Sequence, residues 1–295
     1  MRLMSNLHQV LLGFGLTMLA GLSTGIGSTL AFFTRRTNTK MLSSALGFSA
    51  GVMIYVSFIS ILPQARQILA DSFGAVLAYW YTILAFFGGI ALMAIIDKFV
   101  PSFGNPHELH LVEEISNGVS AKALDPRLDR GNWRHRRRLG RSDCQRLYQM
   151  GILTAVAITI HNLPEGLVTY MATVQGLKFG IPIATAVALH NIPEGIAVAI
   201  PIFYATGNRK KAFWYSFLFG LAEPLGAVIA FLLLFLFKDI TITGILFAAV
   251  AGIMVYISVD ELLPAAKEYG EHHLAIYSLI AGMAVMALSL LLISS

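Results

Sequence analysis

Residues 50–66 read AGVMIYVSFISILPQAR, and residues 251–267 read AGIMVYISVDELLPAAK. The two stretches align without a gap, share eight identical positions and differ mostly by conservative changes. Both are predominantly apolar, and they lie in opposite halves of the chain. A segment of this kind that occurs twice predicts one architecture built from related halves rather than two unrelated domains.

The composition around these stretches is that of a protein whose main solvent is lipid. Of 295 residues, 56% are apolar and only 13% are charged, far from the usual balance of soluble domains. Crossing a hydrocarbon core takes about 20 predominantly apolar residues. Runs of this length fall near 7–33, 41–63, 76–96, 150–174, 180–205, 211–237, 242–266 and 273–293. The sequence therefore predicts an all-α integral membrane protein with eight transmembrane helices, called spans one to eight here.

One long stretch, residues 97–149, interrupts the apolar runs and accumulates Asp, Glu, His, Arg and Pro. We interpret it as a soluble loop between spans three and four, so that residues 1–295 form a single polytopic membrane domain. The formal charge of +5 at pH 7 comes mainly from basic residues in the loops. We therefore expect no nucleic-acid partner, and the lipid bilayer is the expected surroundings of the chain.

The distribution of Lys and Arg predicts the orientation, because the side of the membrane that keeps most of them is normally cytoplasmic. With the N-terminus outside, the outer side holds Arg2, Arg66, Lys178 and Lys238. The inner side then holds Arg35, Arg36, Lys40, Arg209, Lys210, Lys211, Lys267 and the basic residues of the 97–149 loop. We expect a multi-pass protein of the cell (inner) membrane with both termini outside the cytoplasm and this loop inside.

This topology makes the two halves inverted repeats. Span two runs outward and span seven inward, although they carry the same repeated segment. A second repeat, HNLPEG at 161–166 and HNIPEG at 190–195, lies on the antiparallel spans four and five. A weaker echo pairs residues 20–33 of span one with residues 219–232 of span six. Spans one to three are thus related to spans six to eight, and inverted repeats with sites near mid-membrane are typical of transporters.

Three glutamates near the middle of their spans require a counter-charge. Glu165, Glu194 and Glu223 each cost about 2.5–3.5 kcal/mol at the bilayer centre unless they are protonated or neutralised. His161 precedes Glu165 by four residues and His190 precedes Glu194 by four, which places each pair on one helix face. The spacing therefore predicts a divalent metal site with nitrogen and oxygen ligands, a set that suits Zn²⁺ and its neighbours.

Two asparagines extend this set of donors. Asn162 and Asn191 lie three residues before the motif glutamates and offer a second, oxygen-rich set of donors beside the first. The two glutamates could then bridge two metal ions. The predicted metal residues are His161, Asn162, Glu165, His190, Asn191, Glu194 and Glu223. Zn²⁺ or another divalent transition metal is expected as the bound substrate, and no organic cofactor is expected.

Further polar residues define a candidate exit path for the ion. Asp260 and Glu261 lie near the inner end of span seven, where they either receive the leaving ion or simply reach water. His107 and His110 lie in the long loop. A transient metal-holding patch and an ordinary solvated loop account for these two histidines equally well.

The doubled HNxPEG motif, SVDELLP at 258–264 and GLAEPLG at 220–226 resemble those of the ZIP (Zrt/Irt-like) family of divalent metal transporters, with its bacterial ZupT-type members. The resemblance covers essentially all eight spans and leaves the 97–149 loop divergent. It implies an eight-helix bundle with both termini outside. The bundle would carry zinc, and in broad-range members iron, manganese, cobalt or cadmium, into the cytoplasm.

The resemblance also implies a binuclear centre. Its first site would be His161, Glu165, His190 and Glu194, and its second would be Asn162, Asn191 and Glu223 with the two other glutamates shared. One position departs from the ZupT-type pattern, which has a glutamate in span two where this chain has Ser60. This difference at residue 60 bears on which metals are transported.

Other functions fit parts of the pattern. An intramembrane zinc hydrolase would use the metal to activate water. The chain lacks the HExxH motif of many such enzymes and duplicates its own motif in inverted repeats, which hydrolysis does not require, so an enzyme is not expected. An exporter or a metal-sensing receptor would carry the same ligands, and the direction of flux would separate an exporter from an importer. The sequence leaves the oligomeric state open, with a homodimer among the options.

Overall fold

The computed structural model describes residues 7–31, 39–99, 141–237, 239–269 and 272–294. These ranges are almost entirely helical, and the described residues include no strand. The α-helices are α1 Leu7–Ala31, α2 Thr39–Val56, α3 Leu62–Phe73, α4 Ala75–Phe99, α5 Arg141–Gln175, α6 Leu177–Thr206, α7 Arg209–Gly220, α8 Ala222–Phe237, α9 Ile240–Ile257, α10 Leu263–Tyr269 and α11 His272–Ser294. Two π-helical turns, Ser57–Ile61 and Ser258–Leu262, join α2 to α3 and α9 to α10.

The described part of the chain contains seven helical segments that are long and apolar enough to cross a membrane. They are Leu7–Thr29, Lys40–Phe73, Ala75–Lys98, Leu177–Ile200, Arg209–Phe237, Ile240–Lys267 and His273–Leu292. These segments coincide with seven of the eight predicted spans. The remaining predicted span, 150–174, lies inside the 35-residue helix α5. The prediction of an all-helical, multi-pass membrane protein is confirmed.

Large apolar side chains on the outer helices are exposed on the surface of the bundle. On α4, Trp80, Leu84 and Phe87 are 60%, 64% and 60% exposed, and on α11, Leu288 and Leu291 are 61% and 66% exposed. Such a surface is unfavourable in water, whereas lipid tails are as apolar as these side chains. The exposed residues are therefore suited to contact with lipid.

Close backbone contacts at glycine hold α1, α5, α6 and α8 together as one group of helices. A Cβ atom on Gly27 of α1 would lie 1.9 Å from the carbonyl oxygen of Ile192 in α6. A Cβ atom on Gly226 of α8 would lie 2.1 Å from the carbonyl oxygen of Leu163 in α5. Because no side chain fits into these gaps, the helices touch backbone to backbone.

A second group is formed by α2, α3, α4, α9, α10 and α11. Here a Cβ atom on Gly51 of α2 would lie 2.0 Å from the carbonyl oxygen of Leu279 in α11. One on Gly252 of α9 would lie 2.0 Å from the carbonyl oxygen of Phe86 in α4. The two groups meet chiefly where α2 packs against α6 and where α9 packs against α5. The centre of the protein is therefore lined by α2, α5, α6 and α9.

The first π-turn explains why span two is longer than predicted. Pro63 lacks an N–H group, and in an α-helix its ring collides with the carbonyl four residues back. In the π-turn the N–H of Leu62 instead donates to the carbonyl of Ser57, five residues back, which widens the helix locally. The helix therefore continues through Pro63 to Phe73, and the predicted end near residue 63 is too early. Ser60 consequently lies inside a continuous helix, 13 residues before its end at Phe73.

The predicted 97–149 loop overlaps helix at both of its edges. Helix α4 continues to Phe99, and α5 already begins at Arg141. Residues 100–140 lie outside the described residues, and with them His107 and His110 of the candidate exit path.

Candidate metal centre

A tight connection places the two HNxPEG motifs side by side. Helix α5 ends at Gln175 and α6 begins at Leu177, so only Gly176 separates them. Its φ of 151° is a conformation that residues with a Cβ rarely adopt. The two helices pack along each other as an antiparallel hairpin. The two motifs, one in the middle of each helix, therefore lie next to each other.

The histidine of each motif meets the glutamate of the other. His190 Nε2 lies 2.9 Å from Glu165 Oε1, and His161 Nε2 lies 3.1 Å from Glu194 Oε2. All four side chains are at most 1% exposed. The second contact, between His161 and Glu194, is a close approach but not a hydrogen bond, since neither atom has a hydrogen-bond partner. The structure thus brings the four residues together across the helix interface.

A third helix brings Glu223 to this cluster. Helix α7 ends at Gly220, and Leu221 forms a turn before α8 begins at Ala222. Glu223 is therefore in the first turn of α8, fully buried. The amide Nδ2 of Asn191 donates to Glu223 Oε1 and also to the carbonyl of Ala20, at 3.1 Å. Interrupted helices of this kind often lie at substrate sites of membrane transporters.

The seven predicted metal residues all lie in this buried region, and most of their polar atoms lack a hydrogen-bond partner within the protein. The unpartnered atoms are His161 Nδ1 and Nε2, Asn162 Nδ2 and Oδ1, Glu165 Oε2, His190 Nδ1, Asn191 Oδ1, Glu194 Oε1 and Oε2, and Glu223 Oε2. Each such atom costs about 1–3 kcal/mol when it is buried and unsatisfied. Imidazole nitrogens and carboxylate oxygens are the ligands that Zn²⁺ takes in proteins, so the donor set suits a divalent transition metal.

The cluster is not arranged around a single point. Within the described ranges, no three His, Cys, Asp or Glu side chains converge in a geometry ready to hold a metal ion. The histidines and glutamates face each other in pairs instead.

Several supporting residues were not predicted from the sequence. The Ser49 hydroxyl of α2 lies 3.5 Å from the carbonyl of His190, and the Ser216 hydroxyl of α7 donates to the carbonyl of Gly195 at 3.1 Å. Both serines are fully buried. Isolated serines are common in membrane helices, so no sequence signal distinguishes these two from packing residues.

The residues of the candidate exit path do not join the buried cluster. Asp260 is exposed and Glu261 is half-buried in the second π-turn. Ser60, the position that aligns with Glu261, is 8% exposed and accepts a hydrogen bond from Gln64 Nε2 at 3.2 Å.

Comparison with known proteins assigns the chain to a family. A family model described as ZIP Zinc transporter matches residues 7–290. A protein named Zinc transporter ZupT from Nitratidesulfovibrio vulgaris is 56% identical over 284 residues, which is 96% of this chain and 98% of the relative. Relatives of the same name from Clostridium perfringens and Lysinibacillus sphaericus are 54% and 56% identical, each over 97% of this chain and 98% of their own length. The resemblance seen in the motifs is confirmed, and the chain belongs to the ZIP family of zinc transporters.

Proposed function

We propose that this protein carries Zn²⁺, and with it Fe²⁺, Mn²⁺, Co²⁺ and Cd²⁺, into the cytoplasm through a binuclear site at mid-membrane. The observation that carries this proposal is the concentration of unpartnered, fully buried donors where α5, α6 and α8 meet. A transported divalent ion would neutralise the carboxylates and satisfy these donors while it is bound. The names of the relatives, all zinc transporters, support the same substrate.

The two ions would share Glu165 and Glu194. His161, Glu165, His190 and Glu194 would form the first site, which their two short contacts across the helix interface support. Asn162, Asn191 and Glu223 would complete the second site, which the hydrogen bond between Asn191 and Glu223 supports. Asp260 and Glu261 would receive the ion on its way to the cytoplasm.

The two halves of the protein are proposed to be inverted repeats. Each glycine contact between α1 and α6 has a counterpart between α8 and α5 at the aligned positions. A Cβ atom on Gly195 would lie 2.1 Å from the carbonyl oxygen of Thr24, and one on Gly166 would lie 2.0 Å from the carbonyl oxygen of Glu223. The two π-turns also fall at aligned positions, 57–61 and 258–262. Related halves of opposite direction are typical of secondary transporters with a central site.

The proposed location is the cell membrane with both termini outside. The basic residues Arg209, Lys210 and Lys211 at the start of α7 support this orientation, because the side of the membrane that keeps most Lys and Arg is normally cytoplasmic. The 100–140 segment would lie on the same side.

Metal flux into liposomes tests the proposed function. Purified protein in liposomes of known orientation should accumulate zinc faster than protein-free liposomes do, with cadmium, iron and manganese compared under the same gradients. Flux from the outer face of the protein to its cytoplasmic face would identify an importer, and flux in the opposite direction would identify an exporter. Flux equal to that of protein-free liposomes for every metal would contradict the proposal.

Ser60→Glu is expected to raise uptake of Mn²⁺ relative to Zn²⁺ by about threefold or more, because a carboxylate raises local cation concentration and adds a hard oxygen ligand. Ser60→Gln provides the matched control, since its side chain has nearly the same size without the charge. Competition uptake of the two metals measures the ratio. An equal ratio in wild type and Ser60→Glu would contradict a selectivity role for this position.

Deletion of residues 105–140 is expected to leave zinc uptake measurable, within about tenfold of the wild-type rate, because none of the seven proposed ligands lies in this segment. Uptake by cells with matched membrane abundance of the two proteins measures the effect. Complete loss of uptake by a well-inserted deletion variant would show that His107 and His110 are part of the transport path.

A further inference from the structure

The hydroxyl groups of α1 behave alike with one exception. Four of its five serines and threonines donate to a carbonyl one turn earlier, as is usual for such residues in membrane helices. These bonds run from Thr17 to Gly13 at 2.8 Å, from Ser23 to Ala20 at 2.6 Å, from Ser28 to Thr24 at 2.8 Å and from Thr29 to Gly25 at 2.9 Å. The hydroxyl of Thr24 is fully buried and has no hydrogen-bond partner. The carbonyl of Ala20, one turn before Thr24, already accepts hydrogen bonds from Ser23 and Asn191, so the Thr24 hydroxyl is left available for another partner.

Thr24 lies where α1 meets the helices of the metal centre. Its carbonyl oxygen is in contact with Gly195, directly after Glu194. Its side chain faces Gly220, where a Cβ would lie 3.0 Å from Thr24 Cβ and 3.1 Å from Thr24 Oγ1. Gly220 is the last residue of α7 before the interruption that precedes Glu223. One turn earlier in α1, the carbonyl of Ala20 accepts a hydrogen bond from Asn191.

The repeat alignment gives Thr24 a specific counterpart. Residues 20–33 align with residues 219–232, which pairs Thr24 with Glu223, and the HNxPEG motifs pair Asn162 with Asn191. Asn191 is bonded to Glu223. On the other side, both polar atoms of the Asn162 amide and the Thr24 hydroxyl are buried and without partners. The metal centre thus has an acidic half with a bonded pair and a neutral half with two unsatisfied side chains.

We propose that the Thr24 hydroxyl is a further member of the transport site, where it holds the hydrated divalent cation together with Asn162 on this neutral half. The proposal rests on the proposed function, since it assigns an additional residue to the same site. A hydroxyl both donates and accepts, so it is suited to water molecules that remain on the ion. Because it is neutral, it adds a polar contact without adding to the buried negative charge of the three glutamates.

Thr24→Val tests this role because valine has the shape of threonine without its hydroxyl. Zinc uptake by Thr24→Val should show a half-saturation concentration raised by about fivefold to tenfold, the size expected for loss of one ordinary hydrogen bond. Thr24→Ser should restore the wild-type value. Thr17→Val is the matched control, because Thr17 lies in the same helix and is equally buried, but its hydroxyl is bonded to Gly13. This control should leave the half-saturation concentration unchanged.

Thr24→Ala and Thr17→Ala provide a second matched pair in case valine prevents insertion. Equal half-saturation concentrations in the two members of an inserted pair would overturn the proposal. A raised value in Thr24→Val that Thr24→Ser does not restore would also overturn it. Glu194→Gln is measured alongside these variants. Unimpaired uptake by Glu194→Gln would reject the shared metal site itself, whereas loss of uptake there with no effect at Thr24 would reject only the role of Thr24.

Discussion

Glu165→Gln and Glu194→Gln should each reduce zinc uptake by at least about 100-fold while the protein still inserts and folds. Each glutamate is fully buried and lies against the histidine of the other motif. Each is also proposed to serve both metal ions, so its loss affects two sites at once. Glutamine keeps the shape and the polar contact to histidine but removes the charge that holds a divalent cation.

Uptake of zinc at matched membrane abundance measures this effect. Asp71→Asn is a suitable control, because it makes the same change of carboxylate to amide at an exposed residue at the end of α3. Asp71 accepts a hydrogen bond from Gln67 at 2.9 Å, outside the buried cluster. Its substitution should leave uptake unchanged. Wild-type uptake by both glutamate variants would contradict the shared site.

Gly89→Val is expected to prevent accumulation of folded protein, with a loss of stability of at least about 3 kcal/mol, because it forces α4 away from α9. A Cβ atom on Gly89 would lie 2.0 Å from the carbonyl oxygen of Ala249. Since the colliding atom belongs to the backbone, no change of side-chain rotamer relieves the contact. The neighbouring Gly88 is the matched control, because a Cβ atom there would have no atom within 4 Å.

Size-exclusion chromatography and thermal unfolding in detergent distinguish the two glycine variants. Gly88→Val should elute as a single folded species with a melting temperature close to that of the wild type. Gly89→Val should be aggregated or absent from the membrane fraction. A folded Gly89→Val protein with an unchanged melting temperature would show that α4 and α9 do not approach as closely as described.

The membrane-spanning helices could be predicted because the length of an apolar run is a local property. Lipid cannot hydrogen-bond the backbone, so a run of about 20 apolar residues has to form a helix whatever its neighbours are. Span two shows the limit of this reasoning. The apolar run suggested an end near residue 63, whereas the helix continues through Pro63 by way of the π-turn at Ser57–Ile61, and such a π-turn is not visible in composition.

The candidate metal ligands could be named from the sequence, but the contacts between them could not. The repeated spacing grouped two histidines and two glutamates as ligands of one proposed site. It does not specify that His161 faces Glu194 and that His190 faces Glu165, as they do in the structure. The side chain that faces a given histidine depends on the rotation and register of α5 relative to α6, which no single helix specifies.

Charge, donor type and apolar length belong to individual segments, and for this reason the repeated motifs were enough to identify the ZIP family and to predict a metal site. The partner of each donor is a property of the packed bundle. Backbone contacts at Gly166 and Gly195 set how α5 and α6 lie against α8 and α1. These contacts decide that Asn191 is bonded to Glu223 while Asn162 and Thr24 remain without partners, because a shift of one helix by a single residue would exchange the side chains that meet.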